Sequence, residues 1–157
     1  MEIRKLTAVD ADTLQKITTW MYEWWGEKEG YSFDAVKCSM AHSLQEKRLP
    51  QTFGLFLGGE LIGMYQLAME DLFVRPDIYP WLANVYLDEK YRGKGYGKFL
   101  LQSVKENAGV NLDFDEIYLF TKHVGLYEKY GWEFVSEIRT FLEEPGIERL
   151  YKLDLKK

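Results

Sequence analysis

Immediately after Val85-Tyr86-Leu87 the chain alternates glycine with cations and an aromatic: Arg92-Gly93-Lys94-Gly95-Tyr96-Gly97-Lys98. A strand that feeds such a loop into the start of a helix leaves main-chain N–H groups unpaired at the positive end of the helix dipole, which suits a phosphate. Glycine lets anion oxygens approach the amides and adopts the positive φ that nest-like turns require. Lys90, Arg92, Lys94 and Lys98 add positive charge here, although the whole chain is formally -5. The spacing predicts a polyanionic ligand. Two common phosphate loops do not fit. The dinucleotide fingerprint needs glycine where Lys98 stands. A P-loop needs four residues between its glycines and a hydroxyl after its lysine, whereas Gly93 and Gly97 are separated by three and Phe99 follows Lys98.

The elements needed to hold this loop can be read along the chain. Residues 2–6 alternate as a short strand. Asp10 or Asp12 caps a helix running to Trp24, with Leu14, Ile17, Met21 and Trp24 on one face, and Trp20 and Trp24 are expected in the core. Ser32 opens a second helix, with Val36, Met40 and Leu44 inward, which frays near Leu49-Pro50. Residues 52–57 and 61–69 form a hairpin around Gly58-Gly59-Glu60. Residues 81–87 form the strand before the glycine loop. A helix follows with Phe99, Leu100, Leu101 and Val104 as its buried stripe. A strand over 116–120, a short helix over 124–130 stopped by Gly131, and strands over 132–141 and 149–155 complete the pattern. This order predicts an α/β (α+β) domain over 1–157, a mixed six- to seven-stranded sheet with helices on both faces.

The pattern Arg92-x-x-Gly95-x-Gly97 resembles the signature of the GNAT (GCN5-related N-acetyltransferase) superfamily. Downstream, Leu126-Tyr127-Glu128-Lys129-Tyr130-Gly131-Trp132 is similar to that family's aromatic-Tyr-x-Lys-x-Gly-Phe segment, with Trp132 in place of Phe. The resemblance extends over nearly the whole chain, and two motifs in the right order are more specific than either alone. It implies acetyl-CoA as cosubstrate and no metal. The pyrophosphate would lie on the amides of Arg92, Gly93, Lys94, Gly95, Tyr96, Gly97 and Lys98, and the pantetheine arm along Val85, Tyr86 and Leu87. The amide of Tyr86 or Leu87 would polarise the thioester carbonyl. Tyr127 takes the position of the acid that protonates the departing thiolate. Phe120 stands where many relatives have an asparagine that contacts the cofactor, so Thr121 is the substitute hydrogen-bonding residue.

The base that frees the amine is less defined. Glu70 and Asp71, placed at the end of the third strand, could act through water, with Asn84 orienting that water, and His123 is a further candidate. In this family the first two helices and their connection shape the acceptor site. Here Tyr22, Glu23, Trp25 and Glu27 would form an acidic aromatic lip attractive to a cationic amine. That favours a small basic acceptor. A protein N-terminus or lysine, and a CoA-binding module without chemistry, are the alternatives.

The bulk properties narrow the field further. Net negative charge argues against nucleic acid. Cys38 is the sole cysteine, so no intrachain disulfide forms, and with only His42 and His123 beside it a zinc site is not expected. No apolar segment follows residues 1–5 in the manner of a secretory leader, and residues 53–69 are interrupted by Gly58-Gly59-Glu60. A cytoplasmic protein without membrane contact is expected, and a homodimer is compatible with the chain.

Overall fold

The computed structural model describes residues 1–156. Seven strands form one mixed sheet in the order β1-β2-β3-β4-β5-β7-β6. They are β1 (Glu2–Leu6), β2 (Gln51–Leu57), β3 (Glu60–Ala68), β4 (Trp81–Leu87), β5 (Glu116–Thr121), β6 (Glu133–Arg139) and β7 (Ile147–Asp154). The helices are α1 (Ala11–Met21), α2 (Phe33–Ala41) and α3 (Gly97–Asn111). Among the described residues no helix is long and apolar enough to cross a membrane. The chain divides into two compact units, Met1–Gln66 with Asn84–Leu100, and Leu67–Ala83 with 101 onward.

In the first unit β1 runs antiparallel to β2, with Glu2 opposite Phe56 and Leu6 opposite Thr52. The β2–β3 hairpin turns on Gly58 (φ 58°) and Gly59 (φ 84°). A two-residue turn matching the strand twist needs positive φ at both positions, so the glycines fix the register. Asp10 caps α1 by accepting from the Thr13 N–H at 2.7 Å. Ile17, Trp20 and Met21 then pack with Leu6, Val36, Met40, Leu61 and Met64. Ser32 caps α2 in the same way, accepting from Ala35 N–H at 3.1 Å.

Two helix ends differ from the sequence expectation. The first helix does not continue regularly to Trp24. It ends at Met21 and widens into a π-helical turn, Tyr22–Gly26, closed by Glu27 N–H donating to Tyr22 C=O at 3.0 Å. The extra residue turns Trp24 outward, leaving it 43% exposed, while Trp25 is half-buried against the core. The second helix stops at Ala41, well before Leu49. The Ser43 hydroxyl turns back onto Met40 C=O at 2.6 Å, and Leu44 pairs with Gln51 as an isolated bridge.

In the second unit Trp81 of β4 is in parallel register with Tyr118 of β5. The β5–β7 and β6–β7 pairs are antiparallel, with an irregularity between Phe134 and Ser136. Leu72, Ile78, Trp81, Ile138 and Leu150 form its core. Along α3 the buried positions are Leu100, Leu101, Val104 and Ala108, whereas Phe99 is 40% exposed. Phe99 precedes the stripe rather than opening it. The segment 124–130 is helical only as a 3-10 turn, Tyr127–Tyr130, ended by Gly131 at φ 89°.

Candidate active site

In the first unit β4 ends half-buried at Asn84, Val85, Tyr86 and Leu87. Asn84 has φ 51°, a left-handed conformation inside a strand. Asparagine tolerates that conformation better than most residues. Both ends of its side-chain amide are engaged: Oδ1 accepts from Trp25 Nε1 at 3.2 Å, and Nδ2 donates to Gln66 Oε1 at 2.7 Å. One N–H and one lone pair are left over. This amide ties together parts of the protein, and its remaining N–H and lone pair are what it has to orient a water. Tyr86 stacks obliquely on Trp20 and Trp24, with ring centroids 5.2 and 5.7 Å away. Burial raises its phenol's pKa, and the nearby Arg92 charge partly opposes that.

Beyond β4, Asp88 N–H donates to Ile62 C=O at 2.8 Å, and the Asp88 carboxylate accepts from Lys90 N–H at 3.1 Å. These bonds start the 3-10 turn Glu89–Tyr91. Tyr91 then donates to Glu60 at 2.8 Å, a bond that lowers the Glu60 pKa. Arg92 folds back on the strand, with Nε donating to Leu87 C=O at 2.8 Å and its guanidinium 5.2 Å from the Tyr86 ring centre. Its side chain thus fastens the strand end to the loop. Gly93 and Gly95 hold φ of 76° and 84°, and Gly97 begins α3. A β-carbon added at any of the three would meet no other atom within 4 Å. The position a β-carbon would take is thus open at each of these glycines. Lys94 and Lys98 lie at the loop, near the Tyr91 and Phe99 rings.

In the second unit Tyr127 is buried, 7% exposed, with its ring 6.1 Å from Trp132 and 6.2 Å from Tyr151. Burial pushes its phenol up to about 12. The turn carrying it is braced by Glu128, whose carboxylate accepts from Gly125 N–H at 3.3 Å and from Tyr151 Oη–H at 3.2 Å, and which is held below the usual carboxylate range. Arg149 Nε donates to Tyr151 Oη at 2.8 Å. Thr121 Oγ1 accepts from His123 N–H at 3.1 Å, so this hydroxyl already closes a local turn. Phe120 packs edge-on against Trp81 at 5.7 Å. Glu70 is exposed on the segment leaving β3, which ends at Ala68 rather than at Glu70 and Asp71.

The description of the acetyltransferase (GNAT) family matches residues 13–132, which include both the glycine loop and the Tyr127 segment. The chain belongs to that family. Among curated relatives, a spermine/spermidine N(1)-acetyltransferase of Bacillus subtilis (strain 168) is 32% identical over 92 residues, covering 54% of this chain and 60% of the relative. A probable spermine N(1)-acetyltransferase of Bacillus subtilis subsp. natto is 30% identical over the same shares. The chain thus spans about 60% of the length of these relatives. Among solved structures, an aminoglycoside 6'-N-acetyltransferase complexed with coenzyme A superposes with a TM-score of 0.76 at 12% identity, covering 100% of this chain and 98% of the other. A spermidine N-acetyltransferase SpeG chimera from Vibrio cholerae and hSSAT gives 0.74 at 17% identity, covering 98% and 95%. At such identities these structures establish the shared fold.

Two residues that touch the candidate site, Gln66 and Trp25, had no assigned pairing in the sequence reading. The signal was present for one of them. Gln66 interrupts Leu61-Ile62-Gly63-Met64-Tyr65 and Leu67-Ala68 as a polar residue within a fully apolar run. A buried amide of this kind demands partners.

Proposed function

We propose that this chain is an N-acetyltransferase that moves the acetyl group of acetyl-CoA to the primary amine of a small basic molecule by direct attack. The observation that carries this reading is the open cradle at Gly93, Gly95 and Gly97, held in positive φ at the first two and left unfilled by the protein. It occurs within a chain of the acetyltransferase (GNAT) family. The amides of 93–98, with Lys94 and Lys98, hold the pyrophosphate, the Arg92 N–H being already donated to Glu89 C=O at 3.3 Å. The main chain of Val85, Tyr86 and Leu87 holds the pantetheine arm, and Thr121 supplies a further polar contact. When bound, acetyl-CoA supplies an activated thioester.

Tyr127 donates from its hydroxyl to the departing sulfur as the C–S bond breaks. With a pKa near 12, the phenol is protonated at every physiological pH. Full transfer to a free thiolate of pKa about 8.5 would be uphill by roughly 5 kcal/mol. Tyr127 therefore acts first as a hydrogen-bond donor to the developing charge, and water completes the protonation. Glu70, through water, accepts the proton lost as the amine nitrogen bonds the acetyl carbon. The amine enters beside the 22–31 turn, where Trp24 (43% exposed) and Tyr31 (53% exposed) stand among Glu23, Glu27 and Glu29. Aromatic faces and carboxylates together favour a cation, and the polyamine substrates named for the Bacillus subtilis relatives are of that kind. The enzyme acts in the cytoplasm.

Titration calorimetry with acetyl-CoA, followed by thiol-release assays over polyamines, aminoglycosides and peptide amines, tests the proposal. Saturable binding and turnover of polyamines are expected. Absence of heat at millimolar acetyl-CoA would end the cofactor assignment, and turnover confined to peptides would redirect the acceptor.

A further inference from the structure

We propose that Gln66, buried beneath the site, is a positioning residue that holds the amine-binding wall in place through Asn84 and Trp25. The proposal rests on the reading that the 22–31 turn receives the amine. Gln66 is 5% exposed, Ser43 2% and Thr52 0%. Gln66 Nε2 donates to Ser43 Oγ and to Thr52 Oγ1, both at 3.0 Å, and its Oε1 accepts from Asn84 Nδ2 at 2.7 Å. Asn84 Oδ1 accepts from Trp25 Nε1 at 3.2 Å.

The direction of this chain is fixed at its Trp25 end. An indole N–H can only donate, so Asn84 must present its oxygen to Trp25 and its NH2 to Gln66. At the other end the Ser43 hydroxyl lies 2.6 Å from Met40 C=O, and the Thr52 hydroxyl 3.1 Å from Ser43 C=O. The two hydroxyls also lie 2.8 Å from each other, and whichever of these acceptors each hydrogen takes, both oxygens keep a lone pair to accept from Gln66. Turning either amide over would set donor against donor in a buried place. That arrangement would leave polar groups unpaired.

One consequence is structural and one functional. The left-handed φ of Asn84 is held by its side chain at the point where β4 passes from buried to half-buried. The Trp25 ring, edge-on to Tyr31 with centroids 6.1 Å apart and planes at 90°, is fixed in angle from below. A core glutamine thereby sets the orientation of an aromatic pair that meets the acceptor.

The test uses three variants. Trp25→Phe removes the indole N–H and assigns its NMR resonance by the loss of that peak. Gln66→Met removes the amide while keeping an unbranched side chain. Asn84→Gly keeps the positive φ without strain but loses the tether. In protein without substrates, Gln66→Met and Asn84→Gly should each shift the Trp25 indole N–H resonance and speed its exchange with water. An unchanged resonance and unchanged exchange in both would overturn the proposal. With spermidine as acceptor, each variant should lower kcat/KM for the amine about 5- to 10-fold, the scale of one net hydrogen bond, while the KM for acetyl-CoA stays within twofold. Gln66→Met combined with Trp25→Phe should be no worse than the more damaging single change. Multiplying losses, or an equal rise in the acetyl-CoA KM, would refute the relay. If Gln66→Met fails to fold, Asn84→Gly provides both readouts. If spermidine is not turned over at all, the acceptor reading fails while the indole measurement still decides whether the relay exists.

Discussion

Replacing Gly95 by alanine separates the shape of the glycine loop from its charge. Gly95 sits at φ 84°, and a β-carbon there meets nothing within 4 Å, so the substitution causes no clash inside the protein. Its effect is conformational. Holding an L-residue in the left-handed region costs about 1–2 kcal/mol. In the free protein an exposed loop can relax and avoid that cost, but binding demands the cradle again. The strain should therefore appear in affinity, as roughly a 5- to 30-fold rise in the Kd for acetyl-CoA, with little change in Tm. Gly97 supplies the internal control. It opens α3, has no positive φ, and has equally open surroundings. Gly97→Ala should change Kd less than twofold, because alanine is at least as good as glycine in a helix. Gly95→Val should go further and abolish binding, since its branches also fill the space left for the phosphate. Calorimetry on the three proteins measures all of this. If Gly95→Ala binds as tightly as the parent, or Gly97→Ala is as damaging as Gly95→Ala, the main-chain cradle is not what holds the ligand.

Tyr127→Phe should lower kcat about 10- to 150-fold, the scale of a hydrogen bond to a charged group, with Kd for acetyl-CoA within twofold; an unchanged kcat would remove the donor role. The same residue also predicts a pH effect on stability. Its folded pKa, near 12, lies above the unfolded value near 10, so its contribution is complete below pH 10 and is lost as pH rises toward 12. The slope is about 1.4 kcal/mol per pH unit. The Tm of Tyr127→Phe should therefore fall less steeply than that of the parent in this window, and parallel curves would contradict burial of the phenol. Gly63→Ala would place a β-carbon 2.9 Å from the Tyr86 carbonyl oxygen. Overpacking of that kind costs about 1–3 kcal/mol, or roughly 2–12 °C in Tm by melting, and an unchanged Tm would show that β3 and β4 can move apart. Glu23→Gln with Glu27→Gln should raise KM for a polyamine about 3- to 10-fold and leave KM for acetyl-CoA unchanged, whereas equal effects on both would remove the acidic lip.

Features governed by local chemistry were legible in the sequence. Glycine pairs announced the hairpin, Asp10 and Ser32 announced helix starts, and strand β4 runs over the expected 81–87. The loop motif and Tyr127 could be placed because their spacing is itself the signal. What escaped the sequence depended on partners distant along the chain. No 3.6-residue period reveals that the turn after Met21 takes in an extra residue, so Trp24 was assigned to the core. Nothing near Leu44 shows that Ser43 will bond to Met40 and Thr52 and stop the helix. The local turn at Thr121, whose Oγ1 accepts from His123 N–H, was also not foreseen, and it leaves the O–H as the donor for the proposed contact. The exposed carboxylates, Glu70 among them, have too little local constraint for spacing to select one.

The widened turn at Tyr22–Gly26 also bears on how acceptor preference could diverge within such a scaffold. Each residue added to or removed from a helix rotates all that follows by about 100°. A single-codon deletion in this segment would exchange the outward indole for the inward one and re-aim the acidic neighbours. Ile17 and Met21, packed upstream, would keep their places. Close relatives could therefore acquire new amine preferences through length changes of one residue here, without altering the strand and loop assigned to the coenzyme.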